Sequence, residues 1–313
     1  MTQKPLPPTR GLARVVRFLR GLSFQLRYWR GLAINRYLPP IAEALFRAGE
    51  STSAVVFRSD LREAPAVVDA GGKPIDVIAD LTQFTGLPRA VVEANVTSHQ
   101  HISFRSEWYS TPPELRADHW FYLSSKAYLF GNASHFPPGG PVTKLVEELV
   151  PRSGLVWDFG AGSGQLTMRL LASGYEVAAS ELNALQLEFL RFRARLHSPL
   201  TDGLSLFHAG DPDGPKECDA VVAIDVLEHL GNPEQMLSEI ILPSLNASGL
   251  LIEDSPFVIN VSNPMHHADF GFAEFMGSQG FRVVMEGEGM LRAWGRSGAV
   301  ARSKESLAAP GEG

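Results

Sequence analysis

Three glycines at alternate positions, Gly160, Gly162 and Gly164, stand directly behind Asp158 and an apolar run in the stretch VWDFGAGSG. So many missing side chains suit a backbone that turns sharply and lies close to something else. If a helix starts at this turn, its free N–H groups face the same point and favour the polar part of a ligand. An acid, Glu181, ends the next apolar run 23 residues after Asp158, suitably placed to accept hydrogen bonds from a ribose. Other groups able to do chemistry follow: Asp211 in HAGD, then Asp225, Glu228 and His229 in DVLEHL, then His266 and His267.

Two ligand classes fit such a loop, a nicotinamide dinucleotide and S-adenosylmethionine. A dinucleotide fingerprint reads G-x-G-x-x-G, whereas the spacing here is G-x-G-x-G. Asp158 would sit close to the negative pyrophosphate of a dinucleotide, but it can favourably meet the ammonium group of an amino-acid moiety. The Tyr-x-x-x-Lys pair that a short-chain dehydrogenase needs after the loop is matched only by Tyr122 and Lys126, which precede it.

These residues need a frame, and the sequence from residue 141 supplies one. VTKLVEELV reads as a helix, GLVWDFG as a strand, QLTMRLLASG as a helix ending in glycine, YEVAASE as a strand and NALQLEFLRFRARLH as a helix. LSLFHAG, CDAVVAID, PEQMLSEIILPSL, SGLLIEDS, FAEFMGSQG and FRVVMEGEG continue the alternation. Strands separated by helices predict an α/β fold, with a parallel sheet covered on both faces and ligands at the carboxyl ends of the strands.

With these residues in place, VWDFGAGSGQLT, the terminal acid of VAASE, HAGD and CDAVVAIDVLEHL resemble the successive motifs of class I S-adenosylmethionine-dependent methyltransferases of the small-molecule type, over about residues 141 to 290. The resemblance implies a Rossmann-like, doubly wound, mostly parallel seven-stranded sheet with an N-terminal helical lid. It implies S-adenosylmethionine as cofactor, its methionine part held by Asp158, Gly160, Gly162 and Gly164. Glu181 would bind the ribose hydroxyls, Leu182 would pack on the adenine and Asp211 would sit near its exocyclic amine. Asp225 would lie beneath the sulfonium. The segment NPMHHADFGFAEFMGSQGFRVV looks like the histidine–phenylalanine segment, helix and final strand of this group, with Asp269 where the family usually has asparagine.

Methyl transfer asks a protein mainly to align the acceptor with the methyl group and to exclude water. A hydroxyl acceptor also benefits from a base, and His229 and His267 are the catalytic candidates, with His266 as a bystander. Asp225, Glu228 and His229 together offer two carboxylates and one imidazole, a set that suits magnesium or zinc weakly, and no metal is expected. His99 and His101 alternate as on a strand without acidic neighbours and read as structural.

Ahead of the alternating region the chain divides into a basic leader over residues 1–42 and an aromatic-rich helical segment over 43–140, closed by the Pro-Pro-Gly-Gly of 137–140. The cofactor-binding domain is expected over 141–301, and a small, polar, disordered tail over 302–313. The leader carries Lys4 and seven arginines before its first acid, hence +8 against a total of −6, which leaves −14 on the rest. Within residues 10–32, Leu12, Val15, Leu19, Leu22, Leu26 and Trp29 share one helical face. This basic amphipathic stretch points to packing on the body, to peripheral membrane contact or an acidic partner, or to an Arg-rich targeting leader. The stretch IADLTQFTGLPRAVVEANV has the spacing of a helix-turn-helix but only one basic residue, Arg89, so a plain helical hairpin is expected. An acidic body argues against nucleic acid as a partner. Trp108, Tyr109, Trp120, Phe121, Tyr122, Tyr128 and Phe130 could form an apolar lid. The expected acceptor is therefore a small, apolar or lipid-like molecule, methylated at oxygen first and at carbon or nitrogen otherwise. The alternative is a non-catalytic scaffold at a membrane surface. One cysteine, Cys218, excludes an internal disulfide, and no run reaches the ~18 apolar residues of a spanning helix. A cytoplasmic, possibly membrane-peripheral location is expected, and the sequence leaves the oligomeric state open.

Overall fold

A computed structural model describes residues 67–68, 74–98, 107–108, 111–112, 120–125, 127–134, 140–209, 211, 214–257, 259 and 265–296. The basic leader, the residues at 137–139, His99, His101 and the tail lie outside the described residues, and with them the expected domain limits.

Helix α1, Val77–Thr85, starts at Asp76, whose Oδ1 accepts the N–H groups of Ile78 and Ala79, and stops at Gly86 in the left-handed region. Helix α2, Arg89–Glu93, follows Pro88 and runs on as a wider turn to Ser98. These two helices are the plain hairpin expected of the sequence. Two short helices carry the aromatic segment, α3 over Trp120–Ser124 and α4 over Ala127–Gly131. Helix α5, Pro141–Leu149, has proline in its first turn, where no hydrogen bond is lost.

The alternation then unfolds as read: β1 Leu155–Phe159, α6 Gln165–Ala172, β2 Glu176–Glu181, α7 Ala184–Leu196, β3 Leu204–His208 and β4 Cys218–Ile224. After a single turn of 3-10 helix at Leu227–His229, helix α8 covers Pro233–Met236 and passes through a wide turn into α9, Leu242–Ser244. Strand β5 is Leu245–Asp254, helix α10 Phe272–Ser278, strand β6 Phe281–Glu286 and strand β7 Arg292–Arg296. The last strand was absent from the runs picked out in the sequence; within LRAWGR, glycine and two arginines dilute its apolar pattern.

The seven strands lie in the order β3-β2-β1-β4-β5-β7-β6. All neighbours are parallel except β7, which runs antiparallel to both β5 and β6. Because side chains alternate across a strand, neighbouring residues enter different layers. Val156, Val177, Val222 and Ile252 join α5 and α6 on one face, while Trp157, Ala178, Val221 and Leu251 join α8, α9 and α10 on the other. This two-sided burial is why the strands read as continuous apolar runs. A third cluster, Leu81, Val92, Val96, Leu129, Ala133 and Phe189, fastens the α1–α2 hairpin and α4 to the outer side of α7. Among the described residues no helix is long and apolar enough to cross a membrane.

Candidate cofactor and acceptor site

Parallel strands deliver their carboxyl ends to one edge, and the residues singled out in the sequence gather there. Between β1 and α6 the loop takes left-handed φ angles at Gly160, +78°, and Gly162, +55°. A Cβ at Gly160 would stand 2.5 Å from Val226 Cγ2, and one at Gly162 would stand 2.9 Å from Asn132 Nδ2. Backbone angle and close approach therefore both require glycine at these two positions. Gly164 precedes the first turn of α6, also left-handed.

Glu181 ends β2 beside this loop. Its Oε2 accepts the Gly162 N–H at 2.8 Å, and its Oε1 accepts the N–H groups of Leu182 and Asn183 at 2.8 and 2.9 Å. A carboxylate has about four lone-pair positions, so roughly one remains for a ligand hydroxyl. Burial raises the Glu181 pKa, and these three backbone N–H groups and His208 oppose it. Leu182 is half-buried at the same strand end.

Asp158 is 4% exposed and its Oδ2 accepts the Thr167 hydroxyl at 2.5 Å. Burial pushes its pKa up to about 6; the Thr167 hydrogen bonds hold it down and the nearby Glu181 charge adds to the rise. Asp211 stands in the turn after β3, where its N–H donates to the His208 carbonyl at 3.0 Å. These residues fit an S-adenosylmethionine-type cofactor: glycines where a Cβ has no room, and two buried carboxylates on adjacent strand ends.

Asp225 follows β4 with φ +52°, exposed, its N–H donating to the Asp254 carbonyl at 2.9 Å. The next turn carries Glu228 inward. Glu228 is fully buried, and neither carboxylate oxygen has a hydrogen-bond partner among the described residues. Burial pushes its pKa up to about 9, with the neighbouring charges of Asp225 and Asp254 adding to the rise. Glu228 is therefore a neutral acid near pH 7.

His229 follows with Nδ1 2.8 Å from the Tyr122 hydroxyl, which also donates to the Met265 carbonyl at 3.3 Å. Burial, with Tyr128 and Glu228 nearby, keeps Tyr122 a phenol. Tyr122, half of the Tyr-x-x-x-Lys pair that precedes the loop, thus lands on the candidate base, although 107 residues separate them. Trp108, Phe121, Tyr122 and Tyr128 form an edge-to-face cluster that reaches His229. Asn183 fixes that segment to the end of β2, its Nδ2 donating to the carbonyls of Tyr122 and Ser125 at 2.7 and 2.9 Å.

Of the two neighbouring histidines, His266 is the one that meets His229, with ring centroids 4.6 Å apart and its Nδ1 2.8 Å from the Pro256 carbonyl. His267 is exposed, and its backbone N–H donates to the Glu228 carbonyl at 2.7 Å. Asp269 Oδ1 accepts the N–H groups of Gly271 and Phe272 at 2.9 Å each, so the acid serves the turn into α10. Glu228, His229 and His266 bring their donor atoms within 4.8 Å of one another. Ligands of a tetrahedral ion stand about 3.3 Å apart, so a spread of that size would have to contract to share one. Both Nδ1 atoms are already committed to protein partners.

Glu228 gives a direct test of its own. Its folded pKa, about 9, exceeds the ordinary 4.5, so the folded state keeps a proton that the unfolded chain releases. Stability from this group is present below about pH 4.5 and is lost as pH rises toward about 9. Glu228→Gln should raise the melting temperature at alkaline pH and flatten the melting profile between about pH 5 and 9. An equal or lower melting temperature near pH 8.5 would show that Glu228 is ionised in the fold.

A family model described as a methyltransferase domain matches residues 157–251. No curated protein matches the chain. Among solved structures it is similar to the [4+2]-cyclase SpnF, with 17% identity over 46% of this chain and 57% of that one, TM-score 0.39. It is similar to the glycopeptide N-methyltransferase MtfA complexed with sinefungin, with 24% identity over 36% and 51%, TM-score 0.33. It is also similar to magnesium protoporphyrin IX methyltransferase ChlM from Synechocystis PCC 6803 with bound SAH, with 19% identity over 50% and 82%, TM-score 0.41. The matched part spans between half and three fifths of the first two. The stretch that is similar to a methyltransferase domain, residues 157–251, is thus the one that carries the glycine loop, Glu181 and Asp225.

Proposed function

We propose that the chain transfers a methyl group from S-adenosylmethionine to the hydroxyl of a small apolar or lipid-like acceptor. The observation that carries this reading is the meeting, at one sheet edge, of a left-handed glycine loop, the Glu181 carboxylate that holds it, and the His229–Tyr122 pair beyond β4. When bound, S-adenosylmethionine supplies an electrophilic methyl group, so the protein's part is placement, dryness and one proton.

Asp158, Gly160, Gly162 and Gly164 would hold the methionine part, with Asp158 facing its ammonium. Glu181 would take a ribose hydroxyl, Leu182 would lie against the adenine, Asp211 near its amine and Asp225 beneath the sulfonium. In the tautomer where Tyr122 spends its one proton on Met265, His229 Nδ1 carries the proton between Tyr122 and His229. That assigns Nε2 as the basic nitrogen that takes the acceptor's proton. The exposed His267 is the weaker candidate base. The aromatic cluster on Tyr122 sets an apolar surface beside His229, which supports an apolar acceptor. The basic stretch 10–32 would bring such an enzyme to an anionic membrane surface from the cytoplasm.

Titration calorimetry with S-adenosylmethionine and S-adenosylhomocysteine tests the cofactor. Both ligands carry an ammonium group, and Asp158 attracts it only when ionised. Affinity should be greatest near pH 7 and fall roughly tenfold by about pH 5, as Asp158 protonates near 6. Asp254, also raised to about 6 by burial and Asp225, would titrate in the same range. An Asp158→Asn variant separates them, because it should bind weakly at every pH and lose the profile. A folded wild-type protein that binds neither ligand sinks the enzyme reading and leaves the scaffold.

A further inference from the structure

Helix α7 carries an arginine deep inside the molecule. Arg193 is 1% exposed, and its Nε donates to Asp80 Oδ2 at 2.9 Å. Asp80 belongs to α1, is itself 3% exposed, and lies 77 residues before the matched segment begins (157 − 80). The second end of the guanidinium reaches the glycine loop, where Nη1 donates to the Ser163 carbonyl at 2.8 Å. His197, just past the end of α7, also meets Asp80, its Nε2 3.1 and 3.0 Å from the two oxygens. The Phe189 ring lies 5.7 Å beneath the cation and joins Leu81 in the hairpin cluster.

A second tie meets the loop at the same residue as the first. Ser163 Oγ donates to the Asn132 carbonyl at 3.0 Å, and Asn132 Nδ2, facing the bare Cα of Gly162, donates to Gln186 Oε1 at 3.2 Å. The outer side of Gly162–Gly164 is thus met by Asn132, from chain that precedes the sheet, and by Arg193 of α7, which Asp80 of α1 holds. The inner side is set by Glu181. A loop fixed from both sides has its shape decided before a ligand arrives, which removes ordering cost from binding.

We infer that Asp80 and Arg193 are positioning residues for the cofactor loop, so that docking of the α1–α2 hairpin and cofactor affinity form one linked equilibrium. The cofactor part of this inference rests on the function proposed above. Linkage is reciprocal: whatever loosens the hairpin weakens cofactor binding, and bound cofactor tightens the hairpin by the same factor. Burying a cation beside a flexible glycine loop is costly unless both of its ends are used. Here one end is spent on the hairpin and the other on the loop.

Arg193→Met is the informative variant, because it fills the space without charge while Asp80 keeps His197. Once circular dichroism and melting show it folded, S-adenosylhomocysteine should bind about 5- to 150-fold more weakly than to wild type. The Gly164 amide, which donates to Ala161, should exchange its hydrogen faster in the absence of ligand. Combining Asp80→Ala with Arg193→Met should restore the melting temperature lost in Asp80→Ala alone, yet leave the affinity low, which a purely structural role would not do. Wild-type affinity with unchanged exchange in folded Arg193→Met would overturn the inference. If the wild-type protein fails to bind S-adenosylhomocysteine, the proposed function fails instead, and ligand-free exchange at Gly164 alone decides whether the pair shapes the loop.

Discussion

Asp80→Ala should destabilise the protein by about 3–5 kcal/mol, the usual consequence of leaving one partner of a buried ion pair alone. Arg193 would then stand 1% exposed with no carboxylate, and its Nη2 already lacks a hydrogen-bond partner among the described residues. Burial already pulls the Arg193 pKa down, and Asp80 is what opposes it. Denaturant unfolding followed by circular dichroism measures the loss as a lower midpoint at unchanged slope. Arg89 provides the contrast within the same hairpin. It is more than half exposed and pairs with Asp76 and Glu93 at 2.9 and 2.7 Å, and Arg89→Ala should leave the midpoint almost unchanged. Equal losses in the two variants would mean that water reaches Arg193 in solution.

Glu181→Gln should lower cofactor affinity about 10- to 100-fold while preserving the fold, the second large effect expected here. The substitution keeps the shape but makes one end of the side chain a donor. That end must face either the Gly162 N–H or the pair from Leu182 and Asn183, donors against donors. A hydrogen bond to a charged acceptor is worth about 1.5–3 kcal/mol, and the loop loses at least one. The ribose hydroxyl would lose its anionic acceptor as well. Calorimetry with S-adenosylhomocysteine reads the change, and melting reads the fold. A Gln variant that binds like wild type would remove Glu181 from the cofactor site and leave it as a loop brace alone.

The two effects differ in how much of them could be foreseen. Glu181 is legible in one dimension, because an acid at the end of the second strand-like run, at the proper distance behind a glycine loop, has few other uses. The sheet was legible for the same reason: apolar runs of strand length alternating with helix-length segments leave little choice but parallel strands covered on both faces. The glycine loop needed only its own spacing to announce a tight turn, and Gly160 and Gly162 take the left-handed angles that such a turn demands.

Contacts between distant segments were not legible, and they decide the remainder of the site. Asp80 and Arg193 are 113 residues apart, and Tyr122 and His229 are 107 apart, so no local period connects either pair. Asp80 looks like an ordinary helix acid until the hairpin docks on α7. His266 and His267 illustrate a finer limit. Consecutive side chains point in different directions, so a composition that offers both histidines leaves the choice to the path of the loop, and the loop turns His266 toward His229. Local pattern, in short range, determines which elements form and where their turns must be bare. Tertiary packing decides which side chains share a cavity, because burial and pairing are properties of surfaces brought together from opposite ends of the chain.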